Sequence, residues 1–217
     1  MKNVLLIGLG RFGRHCGVKL TELGHQVLAV DWNEDRVDAA LSYLSNAVIG
    51  DSTRQDFLES LGIEDFDLCI VAIGDDFQSA LETTSTLKEL GAKKVISRAS
   101  RDVQAKFLLR NGADEVVYPE RMMAEWTATR HSSEYILDYI TLGNDMVLFE
   151  VEVPEKWVGH SLSELDVRRK HALNVVALKT DDDLMIGLNP DVPLVKGERM
   201  IIIGKNGDVQ KCFEKKL

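Results

Sequence analysis

Two rhythms of apolar and polar positions divide this 217-residue chain. Over residues 1–120, short apolar runs, which read as strands, alternate with longer stretches whose apolar positions recur three and four apart, which read as helices. Strands are predicted at 4–7, 26–30, 47–50, 68–73, 94–97 and 115–118, and helices at 12–23, 33–44, 57–61, 77–90 and 102–111. Asn33 is placed to cap the second helix, and Gly24, Gly62, Gly91 and Gly112 stop the others. The run Leu68-Cys69-Ile70-Val71-Ala72-Ile73 suits a strand buried on both faces of a parallel sheet. Six strands separated by helices, with short loops and right-handed crossovers, predict an α/β doubly wound parallel sheet in the order 3-2-1-4-5-6.

Past residue 120 the pattern changes. Residues 121–139 read as one long helix with Met122, Met123, Trp126, Tyr135, Ile136 and Leu137 as its apolar positions. A face that wide is not stable against water, so the helix should pack on the second domain or on another subunit. After Asn144-Asp145, residues 146–153 start apolar and become alternating, the mark of a half-buried strand, which Pro154 ends. A capped helical turn at 161–165, strands at 175–179, 184–186 and 199–203, and a closing helix at 208–215 complete a small α+β domain. Asp181-Asp182-Asp183 reads as a solvated hairpin turn, since the flanking apolar strands supply no convergent oxygen donors for a cation. The expected organisation is a doubly wound domain over 1–120, a linker helix over 121–139 and a C-terminal domain over 140–217 small enough to gain from dimer support.

Candidate chemistry gathers at the ends of the predicted strands. The first strand breaks into Gly8-Leu9-Gly10-Arg11-Phe12-Gly13 and continues as a helix. In such a turn Gly8 permits the tight bend, Gly10 admits a pyrophosphate and Gly13 lets the helix pack on the sheet, with free N–H groups facing the anion. The second strand delivers Asp31 where a Rossmann fold places an acid on a ribose 2′-hydroxyl. A carboxylate there repels a 2′-phosphate, so NAD(H), ATP, ADP or AMP fit and NADP does not. Asp51 and Ser52 end the third strand, either beside an adenine ring or as a cap for the next helix. Arg11 and Arg98 can each meet a phosphate or sit in a surface ion pair; as phosphate contacts they would make affinity depend on phosphate number. Glu120 follows the sixth strand, as a ligand for a divalent cation or as a cap for the long helix.

Composition narrows the function classes. A net charge of −9 argues against a broad basic surface for nucleic acid, so any polyanion site is local. No apolar run approaches the roughly 20 residues that span a bilayer, and the apolar start is too short for a signal-peptide core, so the chain reads as cytoplasmic. Cys16, Cys69 and Cys212 lack metal spacing and read as buried or incidental thiols. His15, His25, His131, His160 and His171 form no H-x-x-x-H or H-E-x-x-H pattern. No Ser-His-Asp or Cys-His arrangement and no strand-end histidine is visible. That favours a ligand-binding protein over the alternative, an NAD-dependent oxidoreductase with a small substrate-binding domain.

Gly8 to Gly13, Val30-Asp31, Gly50-Asp51-Ser52-Thr53, Val71-Ala72-Ile73-Gly74 and Tyr118-Pro119-Glu120, in this order, resemble the regulator-of-potassium-conductance (RCK) family of KtrA/TrkA type. The second half, with His160-Ser161-Leu162, Leu165-Asp166-Val167-Arg168, Val175-Val176-Ala177 and Lys196-Gly197-Glu198, is similar to that family's C-terminal ligand-sensing domain. The resemblance implies a cytosolic regulatory subunit, not an enzyme, that forms homodimers and assembles as an octameric ring. The ring would lie at the inner face of the membrane beneath a separate potassium-channel or transporter subunit, with the 121–139 helix packed on a second subunit. The resemblance also implies a nucleotide site of Gly8, Gly10, Arg11, Phe12, Gly13, Asp31, Asp51, Ser52, Ile73, Gly74 and Arg98, with Arg11 reaching a terminal phosphate. ATP and ADP are the implied ligands, with NAD(H) in TrkA-like members and a divalent cation near Glu120. In the C-terminal domain it implies a cyclic di-AMP site of Leu165, Arg168, Arg169 and Val175. The basic stretch Arg168-Arg169-Lys170-His171 is otherwise a solvated helix face, and Ala172 stands where related sequences often have glycine.

Overall fold

Val4, Leu5, Leu6 and Ile7 are all buried, so β1 (Asn3–Ile7) lies inside a sheet covered on both faces. Leu5 and Ile7 belong to one apolar layer with Val30, Leu58, Cys69, Val71 and Leu87. Val4 and Leu6 belong to the opposite one with Val27, Ala29, Val37, Leu44 and Ile70, as the two-residue period of a strand requires. Parallel partners flank β1: β2 (Gln26–Asp31) on one side and β4 (Leu68–Val71) on the other, with Ile7 level with both Val30 and Val71. β3 (Asn46–Ile49) lies beyond β2, and β5 (Val95–Arg98) and then β6 (Glu115–Val117) lie beyond β4. The order β3-β2-β1-β4-β5-β6 is the one expected from the alternation of strands and helices.

The helices divide between the two faces. α1 (Arg11–Glu22) and α2 (Glu34–Ala40) bring Phe12, Cys16, Val37 and Ala40 to one layer, while α3 (Gln55–Ser60) and α4 (Phe77–Glu89) bring Leu58, Ala80 and Leu87 to the other. α5 (Asp102–Arg110) packs Leu108 with Ala99 and Ala113. Asn33 caps α2 by accepting the Arg36 backbone N–H, and Asp76 caps α4 through Ser79. Burial pushes the Cys69 thiol up to about 12 and the Cys212 thiol up to about 11, which makes both inert at neutral pH.

The structure is a computed structural model that describes residues 1–181 and 183–213, and it divides into two units, Met1–Met122 and Met123–Leu217. The second unit is an antiparallel sheet in the order β10-β9-β11-β8-β7, built from β7 (Ile136–Gly143), β8 (Met146–Glu152), β9 (Asn174–Lys179), β10 (Leu184–Ile186) and β11 (Arg199–Lys205). β8 and β11 alternate, sending Val147, Phe149, Val151, Met200 and Ile202 into a core with Trp157. α9 (Asn206–Phe213) closes that core with Val209 and Phe213. Ser161 opens α7 (Leu162–Leu165) with a capping box, its hydroxyl accepting the Glu164 N–H while the Glu164 carboxylate accepts the Ser161 N–H. α8 (Val167–His171) comes directly after it.

The helix expected over 121–139 is shorter than its pattern suggests. α6 (Pro119–Arg130) ends at Arg130, whose side chain donates to the Ile136 carbonyl, and Ile136 already belongs to β7. Ile136-Leu137 is therefore the start of a strand, with Tyr135 in the turn just before it, because a short apolar run fits either period and pairing with β8 decides between them. Asn144 and Asp145, both at positive φ, make the two-residue turn that sets this hairpin. No residue of α6 is buried, and Met122, Met123 and Trp126 stand exposed on it. Glu214 and Lys215 of the expected closing helix and Asp182 of the expected acidic hairpin lie outside the described residues; Asp181 pairs with Arg199 at 2.6 Å. Among the described residues no helix is long and apolar enough to cross a membrane.

Candidate functional site

Because Ile7, Val30 and Val71 are level, β1, β2 and β4 end together at the point where strand order reverses. Backbone bonds tie the strand ends to the turns beyond them: the Gly8 N–H donates to the Val30 carbonyl at 2.8 Å and the Ala72 N–H to the Ile7 carbonyl at 2.7 Å. The Gly50 N–H donates to the Asp31 carbonyl at 3.0 Å. A cavity of about 470 Å³ opens there, a size suited to a small-molecule ligand. Of the expected nucleotide set, Gly8, Gly10, Asp31, Asp51, Ser52 and Ile73 line it.

The glycine turn is shaped by two close approaches and one open space. Gly8 sits at φ +97°, and a Cβ on Gly13 would lie 1.8 Å from the Gly8 carbonyl oxygen, so neither position admits a side chain without moving the backbone. At Gly10 a Cβ would meet nothing within 4 Å, so this glycine leaves the cavity floor open. Gly10 is also the N-cap of α1 and brings no side-chain bond to the first-turn N–H groups, which is the arrangement an anion can use. These residues fit a phosphate-bearing ligand.

Asp31 is 4% exposed and is both a wall of the cavity and a brace for the turn. Its Oδ2 accepts the Leu9 N–H at 2.7 Å and its Oδ1 accepts the Asn33 N–H at 2.9 Å, with the Arg36 guanidinium 3.5 Å away. Asp51 Oδ1 accepts the Thr53 hydroxyl at 2.7 Å and the Thr53 N–H at 3.0 Å; those bonds hold its carboxyl below the usual range. Asp51 does not cap α3, whose N-cap is Arg54 with no side-chain cap bond; its carboxylate closes the turn ahead of that helix, because Thr53 lies two residues on and takes both bonds, and the same turn faces the cavity. Ser52 is buried and shares a 2.9 Å hydrogen bond with the Thr83 hydroxyl of α4, so its side chain ties the third strand end to that helix. Trp32, Arg36 and Asp76 also line the cavity without being singled out by the sequence pattern. The signal for the first two is their place beside Asp31, in the turn that Asn33 caps.

Arg11, Phe12, Gly13, Gly74 and Arg98 do not line the cavity itself. Arg98 donates through Nη2 to Glu120 Oε1 at 2.5 Å and lies over the Phe12 ring, 5.9 Å from its centroid. Gly74 makes room for it, since a Cβ there would be 2.0 Å from Arg98 Nη1. Arg98 Nε is buried without a hydrogen-bond partner. The Glu120 carboxyl is held below its ordinary range first by its own backbone N–H, then by the Arg98 bond and charge, then by the charge of Arg11. Arg11, Arg98 and Glu120 thus form one electrostatic group. A divalent cation at Glu120 would find a single carboxylate already paired, and among the described residues no three His, Cys, Asp or Glu side chains gather for a metal. This donor set does not by itself fit a cation.

In the second unit, Leu165 and Val175 are half-buried against the core, and Arg168 and Arg169 of α8 are exposed. Ala172 follows α8 at φ +56°, in the left-handed region that glycine occupies at lower cost.

Residues 4–119 match the TrkA-N domain family and residues 146–217 match the TrkA-C domain family. Ktr system potassium uptake protein C of Bacillus subtilis (strain 168) is 38% identical over 216 residues, covering 100% of this chain and 97% of that relative. Among solved structures, the GsuK channel has a TM-score of 0.69 at 18% identity over 96% of this chain, a likeness of fold; the chain spans 38% of that one. The Shewanella denitrificans Kef CTD, solved in an AMP-bound form, has a TM-score of 0.52 at 27% identity, covering 59% of this chain and 78% of that one. With both halves matched and a relative of this identity along its whole length, the chain belongs to the TrkA-type, or RCK, family of potassium uptake proteins.

Proposed function

We propose that the chain is the nucleotide-binding regulatory subunit of a potassium uptake system and acts on a separate integral-membrane channel or transporter subunit at the cytoplasmic face. The observation that carries this reading is the cavity where β1, β2 and β4 end, with its open floor at Gly10 and its wall at Asp31, in a chain of this family. The AMP-bound state of the Kef relative supports an adenine nucleotide as the ligand. The role is regulatory ligand binding and not enzymatic catalysis, in keeping with a relative named for potassium uptake.

Phosphates rest over Gly8, Gly10 and the start of α1, packed close to the sheet by Gly13; the ribose meets Asp31; and the adenine lies towards Asp51, Ser52 and Ile73. Arg11 and Arg98, the latter seated between Phe12 and Gly74, are the groups within reach of a terminal phosphate. Charge-assisted hydrogen bonds of about 1.5–3 kcal/mol each would let them tell ATP from ADP. ATP and ADP are the ligands we favour, with NAD(H) as the second reading. Exchange between them shifts an oligomeric ring between two shapes, and a fivefold to 150-fold preference for one shape corresponds to about 1–3 kcal/mol of coupling per site. The exposed Met122, Met123 and Trp126 support packing of α6 on a second subunit, in homodimers that build an octameric ring. Cyclic di-AMP is the proposed ligand of the C-terminal domain, supported by exposed Arg168 and Arg169 beside half-buried Leu165 and Val175.

Calorimetric titration with ATP, ADP, NAD, NADH and cyclic di-AMP, with and without a divalent cation, tests this. Binding of ATP and ADP is expected. Binding of NAD(H) alone would replace the ATP/ADP reading with a TrkA-like sensor, and binding of no nucleotide would overturn the proposal.

A further inference from the structure

Trp32 lines the cavity and is 72% exposed. It is the one aromatic side chain among the described residues of the lining. Its backbone is held from both sides. Asp31 Oδ1 accepts the Asn33 N–H across it at 2.9 Å, and the Asn33 side chain accepts the Arg36 N–H at 3.0 Å. Arg36 lines the same wall, 3.5 Å from the Asp31 carboxylate, which it partly offsets. An open indole face and a planar cation beside a buried acid suit a flat π system attached to a sugar.

We propose that Trp32 is the platform on which the purine base of the bound nucleotide stacks, with Arg36 at its edge. This rests on the nucleotide reading above. A base hangs from its ribose by one bond, and adjacent Cα atoms are about 3.8 Å apart, so a ribose at Asp31 brings the base within reach of the next side chain. Stacking hides the indole and the base from water together. Every base has a π face, so the platform rewards ring size and is blind to the phosphate chain. Trp32 therefore contributes equally to AMP, ADP and ATP, whereas the arginines act according to phosphate number.

The test compares the full-length wild type with Trp32→Ala and Trp32→Phe, titrated with AMP and with ATP. Trp32→Ala is expected to weaken both nucleotides by the same factor, between about 5-fold and 150-fold, the range of a lost base–aromatic stack. Trp32→Phe, which keeps a flat ring, is expected to retain most of the affinity. Saturating AMP is expected to protect wild-type tryptophan fluorescence from acrylamide and to change nothing in Trp32→Phe. Unchanged affinity in Trp32→Ala, a loss confined to ATP, or equal AMP protection in Trp32→Phe would each overturn this inference alone. A wild-type protein that binds neither nucleotide would overturn the nucleotide reading and take this inference with it.

Discussion

Arg98 and Glu120, 22 residues apart in the chain, meet through a single 2.5 Å hydrogen bond that ties the end of β5 to the first turn of α6. Arg98→Ala is expected to raise the Glu120 carboxyl only part of the way to its ordinary range, because its own backbone N–H is the leading cause of the depression and survives the substitution. A depressed carboxyl contributes stability that is present above its unfolded value and lost as pH falls through the folded one. Removing Arg98 should therefore shrink the loss of stability on the acid side. Glu120 is more than half exposed, so the pair itself is worth about 0–1 kcal/mol at neutral pH. A carbon-detected titration of the Glu120 side chain checks this, and an unmoved midpoint contradicts it.

Gly10 and Gly13 occupy one turn and should respond to the same substitution in opposite ways. Gly13→Ala drives a methyl into the Gly8 carbonyl and is expected to destabilise the first unit by several kcal/mol, beyond the roughly 1–3 kcal/mol of ordinary overpacking. Gly10→Ala meets open space, so it should fold normally and lose nucleotide affinity. Urea unfolding and then nucleotide titration separate the two, and equal stability loss in both would contradict the geometry.

Asp31→Ala removes more than a ligand contact. The Leu9 N–H loses its acceptor in a buried setting, which costs about 1–3 kcal/mol. Both stability and nucleotide affinity are expected to fall. Wild-type stability in this variant would show that the Leu9 bond does not brace the turn.

Ala172→Gly is expected to stabilise the second unit. A left-handed alanine carries a cost of about 1–2 kcal/mol, and the added unfolded-state freedom of glycine returns about 0.5–1 kcal/mol of it, leaving a small net gain. Denaturation midpoints of the two proteins check the sign.

Legible in the chain was whatever depends on order along it. The glycine turn, Asp31 and the strand order come from residues a few positions apart, and β1, β2 and β4 ending level puts them in one place. Trp32 and Arg36 were not legible in that way, because the wall they share belongs to a cavity that exists only once three strands have met. Nor was the Arg98–Glu120 bond, which depends on Arg98 standing level with Val117 across the sheet. Tyr135-Ile136-Leu137 misled because three apolar residues carry no period of their own; pairing with β8 made Ile136 and Leu137 strand and left Tyr135 in the turn before it.

α6 buries none of its residues against its own chain. With 12 residues it sits at the bottom of the roughly 12–15 at which isolated helices hold in water. Polar contacts along its length hold it instead: Glu120 meets Arg98 in the first turn, Trp126 donates to Asp138 and Arg130 to the Ile136 carbonyl. A helix held by surface contacts and not by a core is the element expected to open first when the protein is loosened, ahead of either folded unit.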